Sequence, residues 1–290
     1  MSCFEGLILK GVGGFYTVLP DGRGPVVCRP RGRLRLEGVK PLPGDRVSCT
    51  HLSDGTGRID EIHPRKNVFT RPPVANMETL ILVASAANPK SDPFMIDRMT
   101  VLAELHGLQV IICINKIDLQ PAAALADIYR KTGYVTLCVS AETGEGIPEL
   151  RAAAAGQVAA VIGHSGVGKS SLLNCLCPGS ALETGEVSRR GGRGRHTTRH
   201  VELVPMGDHA WAADTPGFSS FEPERVEALS PESLKSYFRE FIPYEDRCRF
   251  TGCLHLGITG CAVREAVARG DIAESRFENY KRLVENVRNV

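Results

Sequence analysis

Gly163-His164-Ser165-Gly166-Val167-Gly168-Lys169-Ser170 stands between an apolar run at residues 157–162 and a helix-forming stretch at 171–177. It matches G-x-x-x-x-G-K-[ST], in which glycines let successive backbone N–H groups turn inward on phosphate oxygens. The following helix N-terminus adds favourable dipole charge. Lys169 is expected to reach the β- and γ-phosphates of a nucleotide, Ser170 to ligate Mg²⁺, and Ser171 to complete the loop.

Working outward, the texture from residue 79 alternates buried strands with helices. Residues 79–85, 108–114, 134–139 and 157–162 are apolar enough to be strands. Residues 92–106, 121–131 and 147–155 have helical spacing, the first ending at Gly107 as a natural stop. Such alternation predicts a parallel sheet with helices on both faces.

Three further loops end predicted strands. Asn115-Lys116-Ile117-Asp118 follows residues 108–114, and the Asp118 carboxylate can accept two hydrogen bonds from guanine N1–H and N2–H₂. Adenine offers neither donor, so ATP would leave that carboxylate unpaired at a cost of roughly several kcal/mol. Lys116 can lie along the base. Ser140-Ala141 follows the next strand, where a backbone N–H could reach guanine O6. Asp214-Thr215-Pro216-Gly217 begins 45 residues after Lys169. Asp214 can hold Mg²⁺ through water, and the Gly217 N–H can contact a γ-phosphate. The guanine loops come before the phosphate loop and DxxG, the reverse of the ordinary order in GTPases. Because each loop sits at the C-terminal end of a strand, the site depends on sheet topology and tolerates a circular permutation.

Residues 1–70 read as all-β. Short alternating runs at 6–10, 15–19, 34–37, 46–51 and 57–62 are separated by Asp21-Gly22, Pro43-Gly44 and Asp54-Gly55. Five short strands suit a small closed barrel of OB type, and an SH3-like barrel would give a similar string. Residues 63–76, broken by Pro64, Pro72 and Pro73, read as a linker. After residue 221 the pattern turns helical, with helices expected at 230–241 (Ser230 as cap, Pro231 behind it), 262–268 and 274–289.

Cys248-x₄-Cys253-x-His255-x₅-Cys261 could form a closed tetrahedral Zn²⁺ set of structural type. On spacing alone, buried free cysteines beside an incidental histidine remain open. The other cysteines are scattered, and a disulfide framework is not expected in a reducing compartment.

At 290 residues, 42% hydrophobic and 23% charged, the chain is an ordinary globular protein. No apolar run approaches the roughly 18 residues that span a bilayer. The N-terminus lacks the pattern of a signal peptide, so a cytoplasmic protein is expected. The net charge of +2 is uneven: residues 1–75 hold twelve Lys/Arg against seven Asp/Glu. That excess suits a polyanion partner or an ordinary solvated surface.

The permuted loop order, flanked by an N-terminal barrel and a C-terminal Cys/His module, resembles the RsgA (YjeQ/YloQ) family of ribosome small-subunit-dependent GTPases, over almost the whole chain. The resemblance implies three parts. These are an OB-fold barrel binding 16S rRNA (1–70), a circularly permuted P-loop GTPase domain (71–222) and a helical zinc-binding domain (223–290). It implies GTP hydrolysis to GDP stimulated by the 30S subunit in its late assembly, by a monomer, with no membrane partner. It assigns one structural Zn²⁺ to Cys248, Cys253, His255 and Cys261. Ile258-Thr259 stands where the family often has Glu-Pro, touching no ligand.

The Arg/Gly-rich stretch 189–200 is similar to the family's switch I, so Thr198 would join Ser170 and Asp214 on Mg²⁺. Many GTPases place a glutamine after DxxG to orient the attacking water; Phe218 stands there instead. The resemblance points to His196 for that role, with His164 and His200 as weaker candidates. Two competing readings remain. A P-loop kinase or metabolic NTPase is opposed by Asn115 and Asp118, whereas a GTP-binding RNA scaffold with negligible turnover is kept open by Phe218.

Overall fold

The computed structural model describes residues 2–36, 38–70, 72–177, 201–214, 226, 228–257 and 259–288. The chain forms two compact units: Met1–Glu78 with Ala154–Ala160 and Leu176–Phe221, and Thr79–Ala153 with Val161–Cys175 and Glu222–Val290.

The first unit contains a barrel of β1 (Cys3–Val12), β2 (Phe15–Pro20), β3 (Val26–Pro30), β4 (Arg46–His51) and β5 (Gly57–Ile62), with the short helix α1 (Gly32–Leu36) before β4. Gly13 and Gly14 both have positive φ (59° and 83°), which a two-residue hairpin between β1 and β2 requires. β3 runs parallel to β5, and β1 pairs antiparallel with both β2 and β4. The strand circuit β1-β2-β3-β5-β4-β1 with a helix between β3 and β4 is the OB arrangement, which resolves the SH3-like alternative. Ile8, Tyr16, Val18, Cys28, Leu34, Val47, Cys49 and Ile59 fill the interior. Burying each of the larger side chains contributes about 1.5–3 kcal/mol. Gly57 admits no larger residue, because a Cβ there would lie 2.5 Å from Cys28 Sγ.

Two expectations are corrected in this unit. The strand expected at 34–37 is not formed: its described residues, 34–36, belong to α1, whose Leu34 turns inward, and the third strand is Val26–Pro30. The supposed linker contains a small hairpin, β6 (Val68–Thr70) and β7 (Pro73–Ala75). Pro73 is tolerated because it opens a strand in a two-stranded ladder, where no donor is needed on its outer side. Asp45, fully buried, accepts two hydrogen bonds from Arg65 (2.7 Å each) and one from the Leu42 N–H (2.7 Å).

Also in this unit, β11 (Val158–Ile162), whose last two residues belong to the second unit, runs parallel to β13 (Ala210–Asp214). β12 (Glu202–Gly207), which the sequence did not reveal, pairs antiparallel with β13. β12 also meets β1 at Glu202, where Lys10 forms an ion pair (2.9 Å).

The second unit contains β8 (Thr79–Ser85), β9 (Gln109–Asn115) and β10 (Val135–Cys138), all parallel. Every residue of β8 is buried, as expected of a strand covered on both faces. α2 (Pro93–Leu105) starts where the Asp92 carboxylate accepts the Phe94 N–H (2.9 Å) and Pro93 takes the first helical position. It stops at Gly107, whose φ of 64° closes the end. α3 (Ala123–Arg130), α4 (Ile147–Ala153) and α5 (Lys169–Leu176) follow the strands as expected.

The C-terminal segment corrects one further expectation. The helix from Ser230 does not run to 241. It divides into α6 (Pro231–Leu234), two 3₁₀ turns (Lys235–Tyr237 and Arg239–Phe241) and α7 (Ile242–Glu245). Pro243 cannot donate to the Arg239 carbonyl, and Phe238 leaves helical geometry at ψ 89°. α8 (Ala262–Arg269) and α9 (Glu274–Arg288) finish the described chain. Phe238, Phe241, Phe277 and Tyr280 form an aromatic core with centroids 5.0–6.3 Å apart. Beside it, Arg276 of α9 is fully buried against Asp97 and Thr100 of α2 and Glu240.

Candidate nucleotide site and metal centre

Asn115 ends β9 and is 2% exposed. Its Nδ2 donates to the Val167 carbonyl (2.9 Å), and its Oδ1 accepts the Ala141 N–H (3.0 Å). One amide therefore ties three loops that lie far apart in sequence. Lys116 takes a left-handed conformation (φ 69°), which turns the chain so that its ammonium donates to the Gly166 (2.6 Å) and Asn88 (3.1 Å) carbonyls. The Asp118 carboxylate accepts the Ser140 hydroxyl (2.5 Å), and Ser140 Oγ in turn accepts the Thr143 N–H (3.1 Å).

The phosphate-loop glycines are required by geometry at two positions. A Cβ on Gly168 (φ 95°) would lie 2.3 Å from Asn115 Nδ2, and one on Gly163 would lie 2.3 Å from the Val83 carbonyl. Lys169 donates to the Gly163 and His164 carbonyls (2.7 Å each), and burial lowers the pKa of its ammonium. An anion beside it would offset that burial. Val167 is buried and Ser170 exposed. Ile117 continues the turn, its N–H donating to the Val139 carbonyl (3.3 Å). A cavity of about 240 Å³ opens between these loops, lined by Asn115, Lys116, Asp118, Leu119, Ala141, Glu142, Gly168 and Ser171.

Asp118 and the phosphate loop are thus at one cavity. Asp214 is the last residue of β13. His196, Thr198 and Gly217, like His200 and Phe218, lie outside the described residues. Sequence reasoning missed Leu119, Glu142 and the Asn88 carbonyl. The last is a backbone contact with no residue-type signal, whereas Leu119 and Glu142 flank motifs already in view.

Cys248, Cys253, His255 and Cys261 come together, with one ligand atom from each lying within 4.8 Å of the others. His255 Nδ1 is 3.6 Å from Cys248 Sγ and 3.5 Å from Cys261 Sγ. Tetrahedral Zn²⁺ with Zn–S of about 2.3 Å and Zn–N of about 2.0–2.1 Å requires an S···N separation of about 3.5–3.6 Å. The donor set and its spacing fit that ion. Burial, with Lys235 nearby, lowers His255 to about 4, leaving the neutral imidazole a ligand needs. Burial pushes the Cys261 thiol up to about 11, a cost that a bound cation would offset by holding the thiolate.

The chain matches the RsgA GTPase family model over residues 62–224 and the RsgA N-terminal domain over residues 5–59. It is 45% identical to a small ribosomal subunit biogenesis GTPase RsgA of Moorella thermoacetica, covering 95% of this chain and 94% of that one. Identity to the protein of the same name from Geobacillus thermodenitrificans is also 45%, covering 97% and 96%. Among solved structures, YjeQ from Thermotoga maritima superposes with a TM-score of 0.81 at 33% identity over both full chains. YloQ, described as a circularly permuted GTPase, gives 0.83 at 32% identity, covering 99% of this chain and 96% of that one. The strand-end loops, their permuted order and the barrel before them have a common explanation: the chain belongs to the RsgA family of GTPases.

Proposed function

We propose that this chain is a GTP-hydrolysing switch, stimulated by the small ribosomal subunit and acting late in 30S assembly. The observation that carries the reading is the Asn115 bridge, which brings a guanine-reading carboxylate and a phosphate loop to one cavity. The relatives' names, small ribosomal subunit biogenesis GTPase, support the cellular role.

In this reading Asp118 pairs with the guanine N1–H and N2–H₂ while Ser140 holds its other face. Lys116 lies along the base, and a backbone N–H of the Ser140-Ala141 turn reaches O6. Residues 163–171 wrap the phosphates. Lys169 exchanges two backbone carbonyls for phosphate oxygens, and the Gly217 N–H meets the γ-phosphate. Ser170, Thr198 and Asp214 would hold the Mg²⁺ that accompanies GTP, which supplies charge neutralisation at the phosphates. His196 orients the attacking water once docking on the 30S particle brings it in.

The barrel (1–70) serves as the RNA-binding part, 71–222 as the GTPase domain and 223–290 as a module with one structural Zn²⁺. Residues 23–40 carry six basic side chains against one acid, so the barrel's positive excess is concentrated there. Nearby, Phe15 is 43% exposed with the Arg29 guanidinium 4.2 Å from its ring centre, a pairing that can stack on an RNA base. Among the described residues no helix is long and apolar enough to cross a membrane. A cytoplasmic monomer fits this role.

Single-turnover hydrolysis titrated with 30S, 50S and 70S particles tests the proposal. Stimulation by 30S alone, lost in His196→Ala, is expected. An unchanged stimulated rate in that variant removes His196 from the mechanism. Phe218, where many GTPases have glutamine, favours a second reading: an RNA scaffold that binds GTP with negligible turnover. Absence of stimulation by any particle would leave that reading standing.

A further inference from the structure

His255 Nδ1 is the ring atom that faces two thiols, at 3.6 and 3.5 Å, so Nε2 must carry the proton when the tetrad holds a metal. That Nε2 is buried and has no hydrogen-bond partner. Glu245 Oε1 is likewise buried and without a partner, and the two atoms lie 3.9 Å apart. Two orphaned polar atoms of opposite character, facing each other inside the protein, are costly separately and compatible together.

Glu245 ends α7, and its own carbonyl accepts the Cys248 N–H (3.2 Å). The turn that delivers the first thiolate therefore also delivers this carboxylate. Phe241 packs edge-on against the imidazole at 5.6 Å and restricts its swivel.

We propose that the Glu245 carboxylate is a positioning residue for the metal centre, accepting the Nε2–H of His255 and so fixing the ring's tautomer and aim. The proposal rests on the reading that the tetrad binds Zn²⁺. A contraction of about 1 Å would bring the pair from 3.9 Å to ordinary hydrogen-bond length. Ligating histidines are commonly held in this way, and loss of the acceptor typically costs about 10–100-fold in metal affinity.

The test uses the full chain as wild type, Glu245→Ala, Glu245→Gln and His255→Ala. Zinc stoichiometry and competition against a chelator are measured, together with the His255 ring resonances by NMR. Glu245→Ala should weaken zinc binding about 10–100-fold and expose the Nε2–H to rapid solvent exchange. Glu245→Gln retains an acceptor oxygen and should lose less, with the Nε2–H still protected. This partial rescue decides the matter even if the alanine variant folds poorly. Zinc affinity within twofold of wild type in both Glu245 variants, or ligation through Nε2, overturns the role of Glu245 alone. A wild-type chain without zinc, or zinc binding untouched in His255→Ala, overturns the tetrad reading and the proposal with it.

Discussion

Replacing Arg276 with methionine removes one charge and leaves two behind. The guanidinium is fully buried and spends its donors on four acceptors. Nε meets Glu240 Oε1 (2.7 Å), Nη2 meets Glu240 Oε2 (3.2 Å), and Nη1 meets Asp97 Oδ1 (2.8 Å) and Thr100 Oγ1 (3.1 Å). Burial opposes the arginine's charge, yet Asp97 and Glu240 outweigh it and hold its proton well above the ordinary range. Burial pushes Asp97 up, against the opposing pull of Arg276 and of the hydrogen bonds from Asn279 and Tyr129. Methionine fills a similar volume and lets the Phe238 face, 4.6 Å from the guanidinium, keep its packing. The cost is then mainly that of two buried carboxylates left without a counter-charge, Asp97 keeping only the neutral donors Asn279 (2.6 Å) and Tyr129 (2.9 Å), about 3–5 kcal/mol. At about 2–4 °C per kcal/mol for a unit of this size, the melting temperature should fall by about 6–20 °C. Thermal and urea unfolding measure this, and hydrogen exchange should report loss of protection in α2 and α9 together. Arg276→Met combined with Asp97→Asn and Glu240→Gln should recover at least half of the loss, because no buried charge then lacks a partner. A single-variant cost under about 1 kcal/mol, or a triple variant no better than the single, refutes the electrostatic account.

Asn115→Ala should weaken GTP and GDP alike by about 30–150-fold, since about 2–3 kcal/mol goes with two hydrogen bonds and the unpaired Val167 carbonyl and Ala141 amide; fluorescent-nucleotide titration reads it. Asp118→Asn should cost GTP about 10–150-fold while leaving ATP binding nearly unchanged, so competition between the two nucleotides should show the preference collapsing. On the proposed zinc reading, treatment with a chelator, or His255→Ala, should open the chain around residues 248–261 to limited proteolysis, because a metal-bound tetrad would supply cohesion that this loop-rich segment lacks.

The legible parts of the fold were those where burial dictates residue type over a whole element. β8 and β9, buried almost throughout, have to be continuous apolar runs, and Asp92-Pro93 and Gly107 mark helix ends by backbone chemistry. The elements that escaped notice are those whose prolines argue against strand. Val26–Pro30 lies between Pro25 and Pro30, and β12 carries Pro205 at a register shift against β13. A missing N–H costs a strand little at its end, beside a bulge or on an unpaired flank, and those conditions are set by the neighbouring strand. The alternation of residues 34–37 misled for the converse reason: α1 is only five residues long, and over that length a helix burying Leu34 gives the same string as a strand.

The nucleotide site divides along the same physical line. The roles proposed for Lys169, Ser170 and Asp118 are readable because a phosphate, a divalent cation and a guanine edge would each demand a particular functional group. The contacts that bring the loops together are not readable in that way. Asn115 grips the Val167 carbonyl 52 residues away, and Lys116 grips the carbonyls of Gly166 and Asn88, groups that almost any residue would supply. Their targets are fixed by backbone path, and the path by glycines: Gly168 leaves room for the Asn115 amide where a Cβ would lie 2.3 Å away. This is also why the order of the loops along the chain can change without loss of the site. The amide of Asn115 requires only that the ends of β9 and β11 deliver their loops to the same cavity, and sheet geometry meets that requirement whichever strand the chain lays down first.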